Sequence, residues 1–264
     1  MISVSNLIKK FDSFVAVNDI SFNVKAGEIF AFLGPNGAGK STTIKILTTL
    51  LKPTSGRLMI GNKNPVGEED EVRKMFGIVF QDPSLDDELT AYENMEFHGV
   101  LYAVPRDIRK KKIEELLQFV ELSDRKNSLV KEFSGGMKRR LEIARGLLHE
   151  PKILFLDEPT LGLDPQTRNH MWNYIKNLNK IHNLTVFFTT HYMEEAERIA
   201  DRIAIIDHGK IIAEGSAEVL KKQTNSKNLE EAFLFLTGGT IRKEETTSVD
   251  NMRKMRQMWT PREK

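Results

Sequence analysis

Residues 34–42 read Gly-Pro-Asn-Gly-Ala-Gly-Lys-Ser-Thr, and that spacing of glycines, lysine and hydroxyls suits the holding of phosphate groups. Gly34, Gly37 and Gly39 let the backbone turn with its amides pointing inward, while Pro35, Asn36, Ala38 and Thr42 complete the loop around the phosphate oxygens. The helix that follows adds its positive N-terminal dipole. Lys40 is placed to reach the β- and γ-phosphates and Ser41 to hold Mg²⁺. A nucleoside triphosphate is therefore the expected ligand. The apolar run Ile29–Leu33 before the loop and the pattern Ile44, Leu47, Leu50, Leu51 after it supply the strand and helix such a loop requires.

Two further segments carry chemistry. Lys152-Ile-Leu-Phe-Leu-Asp157-Glu158-Pro159 is an apolar strand ending in two carboxylates. Asp157 is the expected Mg²⁺ group, directly or through water, and Glu158, on the opposite side of the strand end, is expected to polarise a water in line with the γ-phosphate. Alone, the pair reads as two solvated acids; beside the phosphate loop it reads as the metal and water site. At 133–137, Phe-Ser-Gly-Gly-Met precedes a helix, so Ser134 is a natural N-cap, and Gly135 and Gly136 bare the helix amides as a second anion site without a lysine.

The elements that must position these groups follow from periodicity. The first sixty residues alternate in short runs (Ile20, Phe22, Val24; Leu58, Ile60) and predict a small antiparallel sheet around the phosphate loop. A buried strand is expected at 76–80, a helical block from about 82 to 148 with Ile113, Leu116, Leu117 and Val120 on one stripe, and strands at 153–156, 185–189 and 203–206. A helix bearing Met171, Trp172, Ile175 and Leu178 lies between the last groups, as a doubly wound sheet needs. A short amphipathic helix over Leu229–Leu234 and a polar tail to Lys264 end the chain.

The 264 residues are 40% apolar, and 39 basic residues against 37 acidic leave a formal charge of +2, so no net charge advertises nucleic acid. The longest apolar runs are strand-sized, far below the roughly 20 residues of a membrane helix. The N-terminus lacks the apolar core of a secretory signal and there is no cysteine, so a cytoplasmic location is expected.

The phosphate loop, Gln81 after a strand, Phe-Ser-Gly-Gly-Met, Ile-Leu-Phe-Leu-Asp-Glu-Pro, Leu161-Gly-Leu-Asp164 and Thr190-His191 occur in the order of an ATP-binding cassette (ABC) ATPase, which the chain resembles over roughly residues 1–220. The resemblance implies an α/β phosphate-loop NTPase (RecA-like) core, with a small antiparallel β subdomain and the helical insertion at about 82–148, followed by a C-terminal extension at 221–264. It implies ATP and Mg²⁺ as ligands, and two cassettes, a homodimer or a pair with a paralogue, packed head to tail. Ser134–Gly136 of one subunit then close over the ATP held by the other. It further implies that Gln81 touches Mg²⁺ and the attacking water and senses a membrane partner, and that Asp164 communicates across the dimer. His191 would hold the γ-phosphate and keep Glu158 aligned. As bare residues, outside the motif context, Gln81 reads as a turn residue and His191 as a capping or core histidine; His98, His149, His170, His182 and His208 keep that ordinary reading.

Phe11 stands where the family usually has a tyrosine stacked on adenine, with Phe14 as the alternative and a core role for either left open. Phe133 and Met137 replace the usual Leu and Gln at the ends of the signature. With the stretch 80–86 and the Leu229–Thr240 segment, they are similar to the drug-export branch of daunorubicin-resistance-type ATPases. The expected assembly is a subunit peripheral at the inner face of the cell membrane, reaching the membrane only through a separate permease. The alternative is a non-transport cassette acting on ribosomes or DNA. Asp82, Asp86, Asp87 and Glu88 form an acidic run, read either as a solvated face or as a docking patch for basic residues of the permease.

Overall fold

The computed structural model describes residues 1–238; the polar segment from Gly239 to Lys264 lies outside the described residues. Nine strands and nine α-helices alternate along them: β1 (Ile2–Phe11), β2 (Phe14–Val24), β3 (Ile29–Leu33), α1 (Lys40–Leu47), β4 (Ser55–Ile60), α2 (Glu69–Arg73), β5 (Phe76–Val79), α3 (Ala91–Leu101), α4 (Arg106–Phe119), α5 (Gly135–Leu147), β6 (Ile153–Asp157), α6 (Pro165–His182), β7 (Thr185–Thr190), α7 (Met193–Ile199), β8 (Arg202–Asp207), β9 (Lys210–Gly215), α8 (Ala217–Thr224) and α9 (Leu229–Thr237).

Strands β2, β1 and β4 form an antiparallel sheet, as the short alternating runs predict. A six-stranded sheet has the order β5-β6-β7-β3-β8-β9, parallel throughout except for β9, which runs antiparallel to β8. Its inner strands are apolar on both faces, so they read as continuous hydrophobic runs. Phe30, Phe32, Phe155, Phe187 and Ile206 point into a core shared with the small sheet and α1, where Phe22, Phe30, Phe32 and Phe187 pack ring to ring at 5.5–6.0 Å. The alternate residues Leu33, Leu154, Leu156, Phe188 and Ile205 point to the other face, against Trp172, Ile175 and Leu178 of α6 and against Leu220, Leu229 and Phe233.

Between β5 and β6, α3, α4 and α5 enclose a third core of Met95, Ile113, Leu117, Val120, Leu141 and Leu148. The predicted stripe on α4 turns inward there. Helices α2 and α7 and the edge strand β9 have no counterpart in the periodicity. They are short, and β9, Lys-Ile-Ile-Ala-Glu-Gly, has no clean alternation because it closes the sheet with most of its residues half exposed.

The parallel strands β3, β6 and β7 end at the same edge, so the loops that follow them meet there. In an open α/β sheet, that edge is where ligands bind.

Candidate functional site

The loop after β3 wraps the N-terminus of α1. Gly39, the N-cap of α1, has φ 104°, and a Cβ there would sit 2.5 Å from the Ala16 carbonyl oxygen of β2. Only glycine allows the small sheet to close on the loop at that point. Ala38 is buried and its carbonyl accepts from Gly209 N at 3.1 Å, while Gly34 N donates to Thr190 O at 3.4 Å, tying the loop to the ends of β8 and β7. Asn36 and Gly37 are exposed at the tip, and Pro35 and Thr42 are half-buried. Lys40 is 5% exposed, and its Nζ donates to the Gly34 and Pro35 carbonyls at 2.8 and 3.1 Å.

The two carboxylates at the tip of β6 converge on consecutive residues of this loop. Ser41 Oγ donates to Asp157 Oδ1 at 3.2 Å, and Lys40 Nζ pairs with Glu158 Oε1 at 3.1 Å. This corrects the expectation that Glu158 faces the opposite side of the strand end. The pleat would send it there, but its φ is 48°, and the left-handed residue breaks the alternation. Thr189 of the neighbouring strand holds both residues, its Oγ1 donating to Asp157 Oδ1 at 2.6 Å and accepting from Glu158 N at 3.0 Å. His191 Nδ1 lies 2.9 Å from Glu158 Oε2. A carboxylate only accepts, so Nδ1 carries the proton and Nε2 is left for another partner.

Burial acts on the two acids with different results. It pushes the Asp157 carboxyl above its ordinary range, against hydrogen bonds from Thr189 and Ser41. Burial also opposes ionisation of Glu158, but the His191 hydrogen bond and the charge of Lys40 outweigh it and hold that group below its ordinary range. A buried carboxyl of this kind beside a serine hydroxyl is a donor pair that a hard cation fits, and oxygen ligands are what Mg²⁺ takes. Among the described residues no group of three or more His, Cys, Asp or Glu forms a closed metal cage. An open site completed by phosphate and water is the arrangement that suits these groups.

Gln81 follows β5, whose Val79 is in register with Leu156 of β6, so the residues after β5 run beside the tip of β6. Its carbonyl accepts from Arg139 Nη2 at 3.0 Å. Ser134 caps α5, its Oγ accepting from Met137 N at 3.3 Å, and both Ser134 and Gly135 are exposed. A Cβ on Gly135 would meet nothing, whereas one on Gly136 would lie 2.6 Å from Thr167 Cγ2. Asp164 caps α6 with bonds from Gln166 N, Thr167 N and Thr167 Oγ1, and the Thr167 hydroxyl and these amides hold its carboxyl below the usual range. Phe11 and Phe14 pair across the β1–β2 turn and are 43% and 60% exposed, which rules out a core role for either.

Sequence reasoning missed a second layer. Glu195 is 3% exposed and joins the loops after β6 and β7, accepting from Thr160 Oγ1 at 2.6 Å and Thr190 Oγ1 at 3.1 Å. Arg139 and Glu142, both buried on α5, hold the segment around Gln81 through Phe80 O and Ser84 N. Inside the charged runs Met-Glu-Glu-Ala-Glu and Lys-Arg-Arg-Leu-Glu, nothing in the sequence separates these residues from their solvated neighbours.

A parallel doubly wound sheet with a phosphate loop at its C-terminal edge, and acids from the neighbouring strand tip facing that loop, defines a phosphate-loop NTPase. The family model described as ABC transporter matches residues 17–161. Linearmycin resistance ATP-binding protein LnrL of Bacillus subtilis is 44% identical over 216 residues, covering 82% of this chain and 69% of that protein. Daunorubicin/doxorubicin resistance ATP-binding protein DrrA of Streptomyces peucetius is 42% identical over 228 residues, covering 86% and 69%. Among solved structures, the ATP-binding cassette MJ0796, a dimer in a post-hydrolysis state bound to ADP and Pi, superposes with a TM-score of 0.74 at 32% identity, over 82% of this chain and 98% of that one. The chain belongs to the ABC transporter family, as an ATP-binding subunit that hydrolyses ATP.

Proposed function

We propose that two cassettes, this chain with a second copy or a paralogue, close around two Mg²⁺-ATP and drive a separate membrane permease that exports a drug-like or other hydrophobic compound. The observation that carries the mechanistic part is the Glu158 carboxylate held between Lys40 Nζ at 3.1 Å and His191 Nδ1 at 2.9 Å. When ATP enters, Lys40 exchanges Glu158 and the loop carbonyls for phosphate oxygens. Glu158, still oriented by His191, is then free to take a proton from the attacking water, and His191 bonds the γ-phosphate through Nε2 when that nitrogen also carries a proton, since a phosphate oxygen only accepts. Ser41, Asp157 and Gln81 would hold Mg²⁺, which neutralises charge on the phosphate oxygens. Phe11 offers its exposed face to adenine, with Phe14 beside it. Ser134, Gly135 and Gly136 reach the ATP of the opposite subunit, and Asp164 lies at the same interface.

Export fits relatives named for resistance to linearmycin and to daunorubicin and doxorubicin, since a transport ATPase relieves toxicity by moving the compound out. No helix of the described residues is long and apolar enough to cross a membrane, so the permease must supply the path. Phe97, Val100 and Leu101 form an exposed stripe on α3, and Asn94 of that helix bonds the 82–88 segment at Asp86. This face suits a cytoplasmic helix of the permease at the inner side of the membrane. The acids nearby favour it less: Asp87 pairs with Lys138 at 2.6 Å and Glu88 with Lys131 at 2.9 Å, so much of their charge is met within the chain.

Glu158→Gln is expected to bind ATP normally and turn over at least about a hundredfold slower, the lower range for loss of a general base. Lys40→Ala should instead weaken ATP affinity. Steady-state hydrolysis together with binding of a fluorescent ATP analogue separates the two, and near-normal turnover in Glu158→Gln sinks the assignment.

A further inference from the structure

Glu195 lies in the first turn of α7 and touches none of the residues assigned to ATP, yet its carboxylate is the meeting point of two segments that carry them and of α6. Thr160, two residues beyond Glu158, donates to Oε1 at 2.6 Å. Thr190, the residue before His191, donates to Oε2 at 3.1 Å. Arg168 of α6 stands 3.4 Å from Oε1, lays its guanidinium over the Tyr192 ring at 4.5 Å, and donates to Leu163 O at 3.4 Å. Thr190 is tied at the backbone to the site itself, its carbonyl accepting from Gly34 N, and Thr160 sits inside the turn that Leu161 N closes by donating to Glu158 O. Tyr192 N in turn donates to Thr190 Oγ1 at 2.9 Å, closing the turn around His191.

We infer that Glu195 is a positioning residue for hydrolysis, setting the separation of the β6 and β7 loops so that the Glu158–His191 hydrogen bond forms in the productive geometry. The inference rests on the proposed role of Glu158. A buried carboxylate costs stability unless it is paired, and one placed only for stability needs no particular partners. Here both oxygens are spent on the two loops whose relative placement decides where Glu158 and His191 meet. A shift of about 1 Å at a reacting group costs up to roughly a hundredfold in rate with little effect on ground-state binding.

The test uses the full chain in four variants, Glu195→Ala, Glu195→Gln, Thr160→Val and Glu158→Gln, with hydrolysis kinetics, affinity for a fluorescent ATP analogue and thermal melting. Glu195→Ala is expected to lower kcat about tenfold to a hundredfold while KM and analogue affinity stay within about threefold. Glu195→Gln, which can still bond both threonines, should recover most of the rate, and Thr160→Val, which removes one bond at nearly constant volume, should lie between Glu195→Ala and wild type. If Glu195→Ala does not fold, the Glu195→Gln and Thr160→Val arms decide. Wild-type kcat in Thr160→Val or in folded Glu195→Ala overturns the inference, as does a loss of affinity equal to the loss of rate, or a Gln variant as slow as the Ala one. A slow Glu158→Gln beside an unaffected Glu195→Ala removes the role of Glu195 alone, whereas near-normal turnover in Glu158→Gln removes both.

Discussion

Glu158 shows how much one backbone angle can decide. At φ 48° a non-glycine residue pays a conformational cost of order 1–3 kcal/mol, retained because Thr189, Lys40 and His191 all act on the same residue. The histidines outside the site behave differently. His98 packs on Tyr102 at 4.6 Å and near His149 at 5.8 Å, its Nε2 is buried without a hydrogen-bond partner, and Arg145 adds a positive field. Burial first, then Arg145 and His149, depress its pKa to about 3. The ordinary value in the unfolded chain is about 6.5, so below that pH the unfolded state binds the proton that the folded state refuses. Stability falls as pH drops from about 6.5 towards 3, by up to about 1.4 kcal/mol per pH unit from this residue. His98→Leu removes the proton-binding group from both states and is expected to flatten the slope of unfolding free energy between about pH 6 and 4 in urea titrations. An unchanged slope would assign the acid sensitivity to other groups.

At the scale of elements, α5 joins the signature at its N-terminus to the segment that carries Gln81. A Cβ on Gly77 of β5 would lie 2.1 Å from the Gly146 carbonyl oxygen of α5, so the helix lies directly on the strand. From that close seat Arg139 reaches Phe80 O and Gln81 O, Glu142 reaches Ser84 N, and Arg145 reaches Ser84 O. Gly77→Ala must push backbone from backbone and is expected to cost about 1–3 kcal/mol. Gly146→Ala meets its neighbours only at 3.7 Å or more and replaces a helical glycine, so it should be neutral or stabilising by up to about 1 kcal/mol. Urea midpoints of the two variants check the contrast, and equal effects would refute the packing account. The same seam marks where sequence reading stops. The phosphate loop and the strand tips were legible because glycine spacing and continuous apolar runs leave few alternatives, as Gly34–Thr42 and Ile153–Asp157 illustrate. The Arg139–Glu142 pair and Glu195 were not, because a charged residue in a helix points to water or to a buried partner depending on tertiary packing alone. The turn at Glu158 was hidden for a related reason, since a positive φ at a residue other than glycine leaves no mark on the residue type.

For the molecule as a whole, the distribution of exposed glycine and serine is the informative feature. Ser134 and Gly135 face solvent at the head of α5, while Gly136 backs onto Thr167, which is itself bonded to Asp164, so the signature and the Leu161–Asp164 turn make one continuous surface. Lys40 and Glu158, by contrast, are buried at the sheet edge. In the proposed dimer, a helix end that faces solvent would read phosphate brought by a second molecule, and a two-fold pair would do this with the same two patches on each subunit. Lys40→Ala and Ser134→Arg, each inactive as a pure protein, would then place both lesions in one of the two sites of a mixed dimer and leave the other intact. With free exchange and independent sites, an equal mixture should recover about a quarter of wild-type hydrolysis, since half of the dimers are mixed and each has one working site. Recovery should require conditions under which subunits exchange, monitored by fluorescence transfer between labelled chains. If exchange is complete and hydrolysis stays at the level of the separate mutants, a homodimer with independent, shared sites is excluded.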